Sequence, residues 1–114
     1  MNIVVQGTKE FSDYNVFLRA MGVALSDISD KEFNVYSVGP AQVNSFTAEF
    51  CNRSENSLKQ RGIKTKFYRV PSSYIEENLD SFDYFAFLSA PSQKPSRLVA
   101  SAELHGIEVG IFRY

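Results

Sequence analysis

The sequence predicts an α/β domain whose core is a doubly wound parallel sheet of about five strands, ordered 3-2-1-4-5. Three observations carry that expectation. The chain opens as a strand, a glycine turn and a helix start: Ile3, Val4 and Val5 form a β-branched apolar run, Gly7 breaks it, and Asp13 offers a helix N-cap. Hydrophobic periodicity then alternates between strand-like and helix-like segments, giving βαβαβαβαβ. Finally, Tyr84 to Leu88 is apolar throughout, the mark of a strand buried on both faces, which belongs in the centre beside the first strand.

Length and composition agree with one domain spanning 1–114. A chain of 114 residues, 44% hydrophobic and 14% aromatic, can bury a single two- or three-layer core, and it contains no linker, repeat or low-complexity tract. The formal net charge of -1 supplies no general field for nucleic acid. Nucleic acid is therefore not the expected partner, duplex DNA least of all, although there is room for a local basic patch. Cys51 and His105 are the sole cysteine and histidine, which excludes an intramolecular disulfide and a His/Cys metal cluster within one chain. No signal-peptide pattern and no run of ~20 apolar residues occurs. The expectation is a cytoplasmic protein without membrane contact, in the host cytoplasm or the virion if it is virus-encoded.

Each element has its own justification. Val16, Phe17, Ala20, Met21, Ala24 and Ile28 recur at three- and four-residue steps and predict a helix from Asp13 to Ile28. Phe33 to Val38 is the second strand, ended by Gly39-Pro40. The second helix runs from about Gln42 to Arg61, with Val43, Phe46, Thr47, Phe50, Cys51 and Leu58 on one face and Gly62 just past its end. Thr65 to Val70 reads as an edge strand closed by Pro71, with Phe67 on one face and Lys66 and Tyr68 on the other. A brief helix capped by Ser72 or Ser73 follows through Leu79, with Glu76 and Glu77 in its first turn. After the central strand, Pro95 stands at the start of the last helix, whose Leu98, Val99 and Ala102 face inward before Gly106. Ile107 to Phe112 is the fifth strand, an apolar edge guarded by Glu108 and Arg113. Pairing into a homo-oligomer or docking in a larger protein assembly would cover it together with Tyr114.

In an open sheet of this order the ligand crevice lies outside the carboxyl ends of the strands, beside the first strand. Gly7, Thr8 and Lys9 fall on one lip, where backbone N–H groups, a hydroxyl and an ammonium suit an anion, although a tight turn would use Gly7 equally. Ser89, Ser92, Lys94, Ser96 and Arg97 offer hydroxyls and cations to the opposite wall, or serve as solvated loop residues. Gly39, Gln42, Asn44 and Ser45 open the second helix, where free N–H groups suit a ligand, although capping is the ordinary use of such side chains. His105, Cys51 and Glu103 read as a structural imidazole near a helix end, a small packed hydrophobe and a surface carboxylate. No catalytic residue, metal site or cofactor follows from these positions.

The opening Gly-Thr-Lys-Glu-Phe-Ser-Asp-Tyr at residues 7 to 14 is similar to a family start of the form Gly-Ser-Arg-x-Phe-x-Asp-Tyr. With Gly39-Pro40-Ala41 after the second strand, Arg61-Gly62-Ile63 before the third and Phe82-Asp83-Tyr84 entering the fourth, the chain resembles the SLOG superfamily. That Rossmann-like group includes YspA-like proteins and, more distantly, the cytokinin-activating phosphoribohydrolases and the lysine-decarboxylase-like proteins. The resemblance implies a three-layer Rossmann-like fold that binds nucleotides or nucleotide-derived ligands through glycine-rich turns after strands 2 and 4. This sequence departs from that pattern. Pro40 and Val43 stand where further glycines are expected, Ser92-Gln93-Lys94-Pro95-Ser96 replaces the second glycine turn, and Tyr74-Ile75 replaces a polar Arg-Asn pair. The chain thus resembles a diverged member.

Three functions follow as expectations. The first is a non-catalytic binding module for a nucleotide or nucleotide-derived ligand at the switch-point crevice. The second is a structural or interaction protein, such as a virus-encoded accessory or virion component, that keeps the fold without the ligand site. Its motive is the number of aromatics, since Phe11, Tyr14, Tyr36, Tyr68, Tyr74 and Tyr114 exceed what one small core must bury. The third, an enzyme cleaving N-glycosidic or phosphoribosyl bonds, rests on the family connection alone. An open or a plugged crevice beside Gly7 separates the first two.

Overall fold

The computed structural model describes residues 1–8, 10–26, 30–91 and 94–114. Five strands, β1 (Asn2–Gly7), β2 (Glu32–Val38), β3 (Lys64–Arg69), β4 (Tyr84–Ser89) and β5 (Glu108–Arg113), form one parallel sheet in the order β3-β2-β1-β4-β5. The connections are α1 (Tyr14–Ser26), α2 (Ala41–Gln60), α3 (Ser72–Glu77) with a single 3-10 turn at Leu79–Ser81, and α4 (Arg97–Leu104). This is the three-layer Rossmann-like arrangement that the alternating pattern implies. Ile28 of the expected first helix lies outside the described residues.

The layers follow from strand alternation. Ile3, Val5, Phe33, Val35, Ala86 and Leu88 face α1 and α2, whose Phe17, Ala20, Met21, Phe46, Phe50 and Leu58 complete one core. Val4, Val38, Phe85 and Phe87 face the other way, onto Ile75, Leu79, Phe82, Leu98, Val99 and Ala102. All six residues of β4 are buried, as a strand between two helical layers requires. Where Tyr84 crosses β5 the neighbour is Gly110, and a Cβ there would overlap the tyrosine hydroxyl.

Local chemistry explains the helix ends. Asp13 Oδ1 accepts the N–H groups of Asn15 and Val16 at 3.0 and 3.3 Å, so the expected cap of α1 is in place. At the end of α2 the N–H of Gly62 reaches Lys59 O at 2.9 Å and that of Ile63 reaches Leu58 O at 2.8 Å, with Gly62 at φ 78°. This is a Schellman closure, in which buried Ile63 meets the same core as Leu58. Gly106 ends α4 in the same way, with Ile107 N–H on Ala102 O at 3.1 Å.

Three expected starts differ. Neither Ser72 nor Ser73 caps α3; Pro71 holds the N-cap position, its extended backbone turning the chain with no side-chain bond. Glu76 and Glu77 are accordingly the last residues of α3, not its first turn. Pro95 stands outside α4, because Ser96 Oγ accepts the Val99 N–H at 3.3 Å and is itself the N-cap. Pro40 likewise begins α2, and none of Gln42, Asn44 and Ser45 caps it.

Candidate functional site

The carboxyl ends of β1, β2, β4 and β5 bring most of the expected site residues to one end of the sheet. Gly7 closes β1, and a Cβ added there would overlap Val43 Cγ2 and come within 3.7 Å of Phe11 Cδ1. Gly7 is therefore small because α2 crosses directly over it. Gly39 follows β2 at φ 119°, a conformation that disfavours any side chain, and a Cβ there would sit 3.2 Å from Gly7 O. The two glycines let the turns after β1 and β2 touch.

The polar groups around this contact are engaged with one another. Ser37 Oγ donates to Asn44 Oδ1 at 2.6 Å, and Asn44 Nδ2 donates to Gly39 O at 3.4 Å, so Asn44 ties the helix back to its own turn. Ser96 Oγ donates to Gln6 Oε1 at 2.7 Å, a bond that joins the two walls of the switch point. Thr8 Oγ1 is hydrogen-bonded to the Tyr114 hydroxyl. The Tyr114 ring meets Phe11 edge-on at 5.0 Å, and Phe11 is only 1% exposed. Ser89, fully buried, donates to Ala90 O at 2.9 Å, while Arg113 Nη1 reaches Ala90 O and Pro91 O at 3.1 Å each.

Gly7, Thr8, Gly39, Asn44, Ser89 and Ser96 are thus brought together. Gln42 and Lys94 are exposed at the rim. Lys9 and Ser92 lie outside the described residues. Gln6, Ser37, Arg113 and Tyr114 join the residues brought together, and none of these four stands out as a site residue in the sequence. The β4–β5 register sets Ser89 opposite Arg113, which alone brings those two together. The Thr8–Tyr114 pair had no such signal, because it joins opposite ends of the described chain.

Other reactive groups lie elsewhere. Burial, and secondarily Glu55, push the Cys51 thiol up to about 11. His105 is exposed at the end of α4, with Nδ1 3.1 Å from Ser101 O. Among the described residues no three His, Cys, Asp or Glu side chains gather as a metal site, and no helix is long and apolar enough to cross a membrane.

The excess aromatics divide into two groups. Phe11 and Tyr14 pack against Phe46, and Tyr114 packs against Phe11, so the expectation of surplus surface fails for them: Phe11 is core, and the other two are half-buried. Tyr36, Tyr68 and Tyr74 instead form a ladder on the opposite sheet face, with ring centroids 4.7 Å apart for Tyr36–Tyr68 and 6.1 Å for Tyr36–Tyr74. Tyr68 and Tyr74 remain 37% and 40% exposed. Burial first, then the neighbouring Tyr74 and Tyr68, raise the phenol of Tyr36 above its ordinary pKa.

No family model matches the chain, and no curated protein matches it in sequence. Among solved structures it is similar to a universal stress protein from Archaeoglobus fulgidus, with a TM-score of 0.50 and 12% identity over 98% of this chain and 93% of that one. At that identity the likeness is one of fold, and it places the chain with the Rossmann-like doubly wound sheets.

Proposed function

We propose that the protein is a non-catalytic interaction module that keeps a Rossmann-like scaffold and has closed the crevice such scaffolds offer to ligands. One observation carries this reading: the Val43 side chain lies on Gly7, where an approaching phosphate would need bare backbone. The Gln6–Ser96, Ser37–Asn44 and Thr8–Tyr114 bonds support it, since they use polar side chains that a ligand would otherwise meet. The half-exposed tyrosines add aromatic surface of the kind enriched at interfaces. Membership of the SLOG superfamily belongs to the same proposal, with Pro40 and Val43 marking where a diverged member has given up its glycine turn.

A second reading, binding of a nucleotide-derived ligand, has one observation in its favour. The 20-residue α2 begins without a side-chain cap, and Ala41 and Gln42 are exposed beside Gly39, so N–H groups at the positive end of the helix dipole face outward. Calorimetry and thermal-shift screening against nucleotides, cyclic dinucleotides and ADP-ribose derivatives separate the two. The interaction module gives no response across the panel, and saturable stoichiometric binding of any member overturns it. Release of free base from nucleoside monophosphates would overturn its non-catalytic character.

A further inference from the structure

The sheet is covered unequally. The 13-residue α1 and the 20-residue α2 blanket one face, whereas α3 and α4, of six and eight residues, cover the other. The shortfall falls at the β2–β3 end, where Tyr36, Tyr68 and Tyr74 stack. Strand alternation puts Lys64 and Lys66 on the same face as Tyr68. Lys59 and Arg61 at the end of α2 and Arg69 at the end of β3 lie toward the other face, with Thr65 and Phe67, so the cations wrap around the β3 edge.

Residues 59–69 therefore carry five of the 12 cations and none of the 13 acids, so the rest of the chain holds seven cations against all thirteen acids. All five cations are exposed, and none is in an ion pair with a described residue. Acids border the surface as well: Glu32 lies opposite Lys64 in the β2–β3 register, Glu55 lines a cavity of about 410 Å³ with Lys59 and Lys64, and the exposed Glu76 and Glu77 follow Tyr74 on α3. Thr65 also lines that cavity, and its buried Oγ1 has no hydrogen-bond partner among the described residues.

We propose that this strip, with the Tyr68–Tyr36–Tyr74 ladder beside it, is a binding surface for single-stranded nucleic acid. The cations track the phosphates, and the outer faces of Tyr68 and Tyr74 accept unpaired bases. Charge complementarity selects the occupant, because a polyanion is drawn to a basic edge on a chain otherwise net acidic. Exposed rings select a single strand over a duplex, whose bases are already stacked. Lysines on an edge strand also deter strand-to-strand pairing, but that purpose calls for no exposed aromatic ladder beside them. The proposal goes beyond the closed crevice and is tested separately from it, with oligonucleotides in place of mononucleotides.

The test is fluorescence anisotropy of labelled oligo-dT and oligo-rU of about twelve nucleotides, against a duplex of equal length, with the whole chain. Single strands are expected to bind saturably at about 50 mM salt, with a log–log salt slope approaching about -3.5 for five phosphate contacts. Tyr68→Leu, which keeps an apolar side chain at the site, should weaken binding by about five- to a hundredfold, while Tyr68→Phe retains it. Lys64→Ala with Lys66→Ala should flatten the slope by about 1.4. The proposal is overturned if no oligonucleotide binds, if the duplex binds as tightly as single strands, or if Tyr68→Leu binds as the wild type does. Equal competition by polyglutamate also overturns it, since that result marks a surface for acidic peptides.

Discussion

Val43 and Gly7 are matched in size, and the match can be tested by changing either side. Gly7→Ala places a methyl against Val43 Cγ2 in a packed core, and such overpacking costs ~1–3 kcal/mol. In a Val43→Ala background the same substitution should cost much less, because the methyl enters space the valine has left. Denaturant melts of the four variants measure the coupling; strictly additive costs would show that the two residues do not touch in solution. Half of this pair was legible in the sequence, where Val43 stands in place of an expected glycine. What could not be read was that Val43 points at Gly7, since that depends on the path of α2 over the end of β1. Thr8 and Tyr114 were illegible for a similar reason, because only the completed β5 brings Tyr114 to the β1 turn.

Among the elements, α2 shows best how a helix face becomes chemistry. Cys51 lies on its inner side, partly covered, and its thiol is raised to about 11 by burial before any charge acts. The neutral thiol is the favoured form in the fold, so the stability it contributes is intact below pH ~9 and lost as pH rises toward ~11. Tyr14, Tyr36 and Tyr84, all raised mainly by burial, add to the loss at the alkaline end. Native Cys51 should therefore react with iodoacetamide at about a hundredth of the rate of the unfolded thiol near pH 8. Its replacement by alanine should reduce the fall in stability between pH ~9 and ~11. Equal labelling rates in native and unfolded protein would refute the shift. Strand and helix order were readable from periodicity, but the helix starts were misjudged. Pro40 and Pro71 set the entry angle by their own backbone, which frees Asn44 to bond its turn and leaves Ser72 and Ser73 without a capping role.

On the scale of the whole molecule, the order β3-β2-β1-β4-β5 was legible because β4 carries no polar residue before Ser89 and had to be central. The tyrosine ladder was not, because its three rings come from β2, β3 and α3 and meet only through the sheet register. The β5 edge keeps Ile111 39% exposed, so it remains a place where a second copy could pair, but Tyr114 is already held by Thr8 and Phe11. Ile111→Lys is accordingly the clean variant. If β5 pairs with β5, the wild type sediments as a dimer at high concentration and the variant as a monomer; a wild type that stays monomeric excludes the pairing.

The central place of β1 also governs how the chain assembles. Ile3, Val4 and Val5 find β2 early, but on their other side Tyr84, Phe85 and Ala86 arrive only after three helices have been made. During that interval one flank of β1 has unpaired amides and carbonyls, and the search that ends it must close a long loop before any contact rewards it. β1 therefore stays half-paired until β4 arrives, and the seating of β4 is the step that joins the β3-β2-β1 half of the sheet to the β4-β5 half.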